Sequence, residues 1–296
     1  MAEITNRLGL PAPILKAATN DSYSRGGADI SITELIGSPR VRVLRAKHKD
    51  KIVEDASDRF WAIIGSALHH VMEVNAEDHH ISEERLFASV EGWTISGGID
   101  LQIPVQTAVG SAMSLGDYKM TTAWAVMQEK IEWERQLNCY GYLVTKNKNI
   151  PIESIFIVAI IRDWSRRQAK LQPEYPQSPM VVLPQKLWSF EEQEKYIIGR
   201  VNNHQAASYA EDWGEPLVEC NDEERWTKPD KYAVIKDGNK RALKIFDADA
   251  LTDAQKFANE KSARVELRKG EQTRCENFCA VSEWCEQYQK MVKEDE

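Results

Sequence analysis

The hydrophobic period of this chain changes from helical to alternating and back again between residues 58 and 161, and this order restricts the fold more than any other feature. Phe60, Ile63, Ile64, Ala67, Leu68, Val71 and Met72 follow the i, i+3, i+4, i+7 stripe of an amphipathic helix over 58–75. Residues 84–91 and 94–103 alternate about Gly92-Trp93, which predicts a hairpin, and 112–119 predicts a third strand. A second helix is expected over 125–145, with Trp133, Leu137, Tyr140, Gly141 and Val144 facing inward. Ser154–Ile161, rich in Ile and Val, predicts a buried strand. Helix, three strands, helix, strand is the pattern of an α/β fold with a mixed central sheet flanked by helices.

Further along, the pattern predicts a strand near 180–183, a helix over 190–209, a hairpin about Asp237-Gly238-Asn239 and a helix over 253–265. The acidic, Gly- and Pro-containing stretch Trp213–Pro216 marks a boundary. It separates a domain over 1–214 from a helical extension over 215–296, expected to pack on the first. The 296 residues suffice for a substantial core. The apolar runs are too short to span a bilayer and the start M-A-E-I-T-N-R lacks a signal region, so a cytoplasmic protein without a membrane partner is expected. A net charge of -8 argues against coating nucleic acid by charge alone. Basic residues nonetheless gather between Arg40 and Lys51, and at Arg162, Arg166, Arg167 and Lys170, as solvated faces or as phosphate contacts.

Several polar residues lie on these elements where chemistry would place them. Gly65, His69 and Glu73 are spaced i, i+4, i+8 and share one ridge of the first helix. Asp100 follows S-G-G-I and sits between Ile99 and Leu101, where a carboxylate needs a partner or a metal. Asp117 and Lys119 are two apart on a strand and face the same side. A hard divalent ion, Mg2+ or Mn2+, would take oxygens from Asp100, Asp117 and the backbone carbonyl of Tyr118, with His69 completing the shell. Such an ion polarises a phosphate and activates water, while Lys119 orients or deprotonates that water and steadies the developing negative charge. The arrangement suits phosphodiester hydrolysis. The bland alternatives are a structural His69, an ordinary Asp117–Lys119 salt bridge, and a core Tyr140 beside a surface Gln136. Glu73 and Glu84 rank as auxiliary acids.

With these residues in place, the segment resembles the PD-(D/E)XK nuclease superfamily, in particular its RecB-like branch. G-S-A-L-H at 65–69 is similar to that family's G-x-x-x-H helix, G-G-I-D at 97–100 to its metal-binding Asp, G-D-Y-K at 116–119 to its (D/E)-x-K strand, and Q-L-N-C-Y at 136–140 to its Q-x-x-x-Y helix. S-I-T-E-L-I-G-S-P-R at 31–40 is similar to the opening of RecB-like domains. The resemblance implies the restriction-endonuclease-like core and a metal-dependent DNA exonuclease, of the sort phages and mobile elements use to process ends in recombination, in the host cytoplasm. It implies that Gln136 and Tyr140 position Lys119 or the DNA phosphates. A structure- or site-specific endonuclease and a non-catalytic DNA- or partner-binding module are the alternatives. A recombination or single-strand-binding protein and an oligomeric ring are compatible partners.

Three of the chain's five cysteines, Cys275, Cys279 and Cys285, fall within eleven residues. Metal or cluster ligation explains this in a cytosolic protein, with a disulfide or incidental clustering as the alternative. The resemblance implies a 4Fe–4S cluster held by three C-terminal cysteines and one distant one. The spacing C-x3-C-x5-C is wider than the family's usual C-x2-C-x5-C, and Ser38 stands where the distant cysteine usually lies. Cys220 is therefore taken as the fourth ligand, since Cys139 falls inside the expected second helix, and zinc is the alternative metal. Trp61, Trp93 and Trp124 near the expected cleft are assigned to core packing, with base stacking as the alternative.

Overall fold

The computed structural model describes residues 3–20, 24–108, 110–128 and 130–295. The chain divides into two compact units, one of residues 1–39 with 49–215, the other of 40–48 with 216–296. The segment 40–48 thus belongs with the C-terminal residues, although a single cut near 214 is expected from the sequence.

In the first unit, strand β1 (Ile30–Ser31) leads into the one-turn helix α1 (Ile32–Leu35). The Ser31 hydroxyl accepts from the Glu34 amide at 3.3 Å and the Glu34 carboxylate accepts from the Ser31 amide at 3.2 Å, a reciprocal cap that fixes where the strand ends. Helix α2 (Phe60–Val74), strands β2 (Ile81–Val90), β3 (Trp93–Thr107) and β4 (Gly110–Thr121), helices α3 (Ala123–Met127) and α4 (Ile131–Lys148), strands β5 (Ile152–Ile161) and β6 (Met180–Gln185), and helix α5 (Phe190–Trp213) follow. The order is the expected one, with two local differences. The β2–β3 reversal falls on Glu91-Gly92, both at positive φ (48° and 78°), the turn that matches strand twist, one residue earlier than expected. The helix expected over 125–145 is two helices, because Gln128 and Lys130 adopt extended backbone between them.

The sheet runs β1-β3-β4-β5-β6, with β2 on the other edge of β3. Strands β3 and β4 are antiparallel, β4 and β5 parallel, β5 and β6 antiparallel, so the sheet is mixed. Leu137, Leu143 and Val144 of α4 and Ile197 and Val201 of α5 bury completely with Ile95, Ile99, Leu115, Ile155 and Ile157 of the sheet. Each such side chain contributes about 1.5–3 kcal/mol by leaving water. The fold is therefore α/β with a mixed central sheet flanked by helices.

One edge of β3 is divided between two partners. Strand β4 pairs with it from Leu101↔Gly116 to Thr107↔Gly110, and β1 pairs with it at Ile30↔Ile95 and Ser31↔Ser96. Strand β2 holds the opposite edge from Trp93 to Gln102, past the whole fork. The segment Gly97-Gly98-Ile99-Asp100 lies between the two pairings, so the sheet forks there as β4 leaves to follow β5. Helix α4 covers the fork closely: a Cβ on Gly97 would stand 2.8 Å from the Tyr140 ring and 2.9 Å from Leu143.

The second unit is not the helical extension expected. Strands β7 (Lys231–Lys236), β8 (Lys244–Asp247) and β9 (Ala263–Arg268) form an antiparallel sheet in the order β8-β7-β9, and helix α6 (Leu251–Lys261) packs on it through Val234, Ala254 and Ala258. The helix expected to reach Val265 stops at Lys261 because Ser262 takes the left-handed conformation (φ 48°), and Val265 joins β9 opposite Val234. Arg40, expected on a basic face, is buried and donates to the Leu217 carbonyl at 2.7 Å. No helix among the described residues is long and apolar enough to cross a membrane.

Gly97→Ala is expected to destabilise the protein by about 1–3 kcal/mol, since Tyr140 and Leu143 lie in the packed core. Gly98→Ala meets only the movable end of Arg85 at 3.4 Å and is expected to be much milder. Urea denaturation compares the two, and equal midpoints would contradict this account of the fork.

Candidate metal centre

The fork brings together most of the residues singled out from the sequence. Asp100 on β3 and Asp117 on β4 follow the last pair of the β3–β4 ladder and are almost fully buried. Leaving the ladder deprives the Tyr118 amide of a strand partner, and it donates to Asp100 Oδ2 at 2.8 Å instead. The amide and carbonyl of one strand residue point to the same edge, so the Tyr118 carbonyl is directed toward the Asp100 side as well. Lys119 Nζ lies 2.7 Å from Asp117 Oδ2, on the shared face that period-two alternation requires. From α4, Gln136 Nε2 lies 3.3 Å from Asp117 Oδ1 and 2.7 Å from Tyr140 Oη. Gln136 and Tyr140 are both buried, one helical turn apart.

From α2, His69 Nδ1 lies 2.9 Å from Glu83 Oε1 and 3.6 Å from Asp100 Oδ1. Ligand atoms of His69, Glu83 and Asp100 all stand within 4.8 Å of one another. Glu83 is the member that sequence reasoning missed. It lies opposite Asp100 in the β2–β3 register, between the pairs Ser82↔Leu101 and Glu84↔Ile99, and a φ of 52° shows strained backbone at that position. Both residues proposed as auxiliary acids lie elsewhere. Glu84, on the opposite face of β2, accepts from Gln102 at 2.7 Å and from Lys148. Glu73 is exposed and faces His70.

These residues line a cavity of about 260 Å3 together with Arg85 of β2 and with Ser31, Ile32 and Thr33, where β1 and α1 form a wedge at the fork. Burial, and then the neighbouring Asp117 charge, push the Asp100 carboxyl up to about 7 against the opposing influence of His69, Lys119 and the Tyr118 amide. The hydrogen bond to Glu83 raises the His69 imidazole above its ordinary value in spite of burial, with the Asp100, Glu83 and Asp117 charges adding to it. Burial works against the Lys119 ammonium, but Asp117 and then Asp100 outweigh it and hold the lysine above its usual range. Asp117 Oδ2 is buried and accepts no hydrogen bond of regular geometry, in spite of the nearby ammonium. Three carboxylates, one of them with a buried oxygen that keeps an open lone pair, and an imidazole fit a hard divalent cation.

The second unit holds the other set of candidate ligands. Cys220 and Cys285 are buried, Cys275 and Cys279 half-buried, and all four are free thiols. Burial, followed by the charges of Cys279, Cys220 and Cys285, pushes the Cys275 thiol up to about 11, and Arg225 opposes them. Cys275 is therefore near enough to the other three residues assigned from the sequence to feel them. The Arg40 Nε–H donates to Cys285 Sγ at 3.3 Å, and the Gln287 side chain bonds both the amide and the carbonyl of Cys220. Cys139 is buried in α4, in the first unit.

No family model matches the sequence, and no curated protein does. Among solved structures the chain is similar to one described as "Crystal structure of SSO0001", at 17% identity and a TM-score of 0.44, with 66% of this chain and 82% of that one covered.

Asp100 sets a pH dependence of stability. Its carboxyl is raised in the folded state, so between the ordinary value near ~4 and about 7 the unfolded chain releases a proton that the folded one retains. Stability falls across that window and the cost stays constant above it. Asp100→Asn keeps an acceptor for the Tyr118 amide and is expected to raise Tm at pH 8 by about 2–4 °C in metal-free buffer. The gain should vanish near pH 4, and Mg2+ or Mn2+ should stabilise the unchanged protein but not the variant. A gain over the unchanged protein that is no larger at pH 8 than at pH 4 would refute the assignment.

Proposed function

We propose that the first unit is a divalent-metal-dependent deoxyribonuclease of the PD-(D/E)XK type, RecB-like, and an exonuclease acting on DNA ends, as in recombination. The observation that carries this reading is the convergence of His69, Glu83, Asp100, Asp117 and Lys119 on one cavity at the fork of the sheet. Asp100, Asp117, Glu83 and His69, with the Tyr118 carbonyl, would hold Mg2+ or Mn2+. The ion supplies Lewis-acid polarisation of the phosphate and activation of a water molecule.

The chain's own groups divide the remaining work. Asp117 and Asp100 keep the Lys119 ammonium charged, which suits it to orient a phosphate and offset the negative charge that develops on its oxygens. Of the two roles expected for Lys119, charge stabilisation therefore fits better than proton abstraction. Gln136, bonded to both Asp117 and Tyr140, fixes the rotamer of the carboxylate. The low exposure of Asp100 and Asp117 strengthens every interaction they make with a cation.

We further propose that Cys220, Cys275, Cys279 and Cys285 hold a 4Fe–4S cluster as a structural staple of the second unit. Three thiols that act on Cys275, with Arg40 donating to Cys285 and Arg225 near Cys275, support a soft donor set. Zinc is the other ion such thiolates take.

Incubation with Mn2+ and labelled linear, nicked and circular DNA tests the first reading. Shortening of linear DNA alone is expected, with a loss of at least about a hundredfold in Lys119→Ala. Cleavage of closed circles would make the protein an endonuclease, and failure to cut any form would leave a binding module in place of an enzyme. For the cysteines, anaerobically prepared protein should be brown and carry iron and sulfide, and Cys279→Ser should lose the colour. Colourless protein with stoichiometric zinc would overturn the cluster.

A further inference from the structure

Trp61 and Trp124, assigned from the sequence to core packing, are 50% and 65% exposed. Each has a cation on its ring. The Arg162 guanidinium lies 4.0 Å from the Trp61 centroid, and Lys130 Nζ lies 5.5 Å from that of Trp124. Among the described residues no carboxylate pairs with Arg162, and Arg166 and Arg167, a few residues further on, are also exposed. The chain carries a net charge of -8, yet cations gather beside exposed indoles here.

Their position follows from two elements that also carry the metal centre. The Arg162 amide donates to the Thr121 carbonyl at 2.9 Å, which places Arg162 at the end of β4, four residues and about 13 Å beyond Asp117. Trp61 precedes His69 by eight residues on α2, about 12 Å along the helix. The Ala123 amide donates to Asp163 Oδ1 at 2.7 Å and holds the start of α3, with Trp124, beside the same strand ends. Arg162 and Trp61 thus stand about 12–13 Å, along β4 and α2, from Asp117 and His69. That distance is about four phosphates at the ~3.4 Å spacing of a stacked strand.

We propose that Trp61 and Trp124, with Arg162 and Lys130, form a stacking ledge that binds the unpaired bases of a single DNA strand leading to the metal centre. Indole faces stack on any base, cations beside them meet the phosphates, and a duplex, whose bases are already stacked, gains only the charge contacts. The link to the metal centre rests on the nuclease reading; the binding of unpaired bases does not.

Fluorescence anisotropy in EDTA, where nothing is cut, separates the two. A labelled oligo-dT strand should bind the unchanged protein more tightly than a blunt duplex of equal length. Trp61→Ala and Arg162→Ala should each weaken binding of the strand by about tenfold and leave duplex binding little changed. Trp61→Phe, which keeps a ring, should retain most of the affinity, and the Mn2+-induced rise in Tm should survive in all three. Unchanged strand affinity in both alanine variants, or an equal loss for strand and duplex, would overturn the ledge even if the protein cuts DNA. Trp61-dependent strand binding by a protein that cuts nothing would keep the ledge and remove the nuclease reading.

Discussion

A β-strand has two edges, and β3 has three partners. Because β2 occupies one edge from Trp93 to Gln102, β1 and β4 share the other, and the strand is not paired continuously on that side. Much of the candidate site follows from this constraint. The unpaired stretch 97–100 exposes its backbone to the cavity, Asp100 supplies the acceptor that the Tyr118 amide lacks, and β4 is free to carry Asp117 and Lys119 toward β5. The cap between Ser31 and Glu34 ends β1 after two residues and so limits how far the wedge closes the fork.

The cost of this arrangement is electrostatic. Two buried carboxylates face each other with one ammonium between them, and the Asp100 carboxyl is held near neutrality by burial and by its neighbour. Such a cluster is poor material for stability, since replacing buried charges with apolar groups is often neutral or better. Its presence at the fork of the sheet, with a strained Glu83 opposite, accords with the proposed metal centre better than with a contribution to stability.

Much of this was legible in the sequence because period and spacing act locally. The helix stripe over 58–75, the alternation of the three strands and the i, i+4 relation of Gln136 and Tyr140 depend on nothing beyond a few neighbours. Glu83 was not legible for an equally definite reason. Its place opposite Asp100 depends on the turn residue, and moving the reversal from Glu91-Gly92 to Gly92-Trp93 changes the residue facing Asp100 by two positions. In the second unit the hairpin about Asp237-Gly238-Asn239 was legible, but the strand 263–268 was missed because so charged a run does not read as buried, although one face of it packs on α6. The exposure of Trp61 and Trp124 was hidden because an indole's side of a helix says little about what covers it.

The assignment of 40–48 to the second unit changes what a fragment of this protein can be. The Arg40 guanidinium, made early in synthesis, finds its acceptors at Leu217 and Cys285 only after most of the chain has followed. A piece that begins at 216 lacks a structural member of its own unit, and a piece that ends at 215 carries a helix whose buried arginine has no acceptors. The two units are interleaved along the chain, so neither boundary alone yields a self-sufficient part, and the second draws on residues from both sides of 49–215.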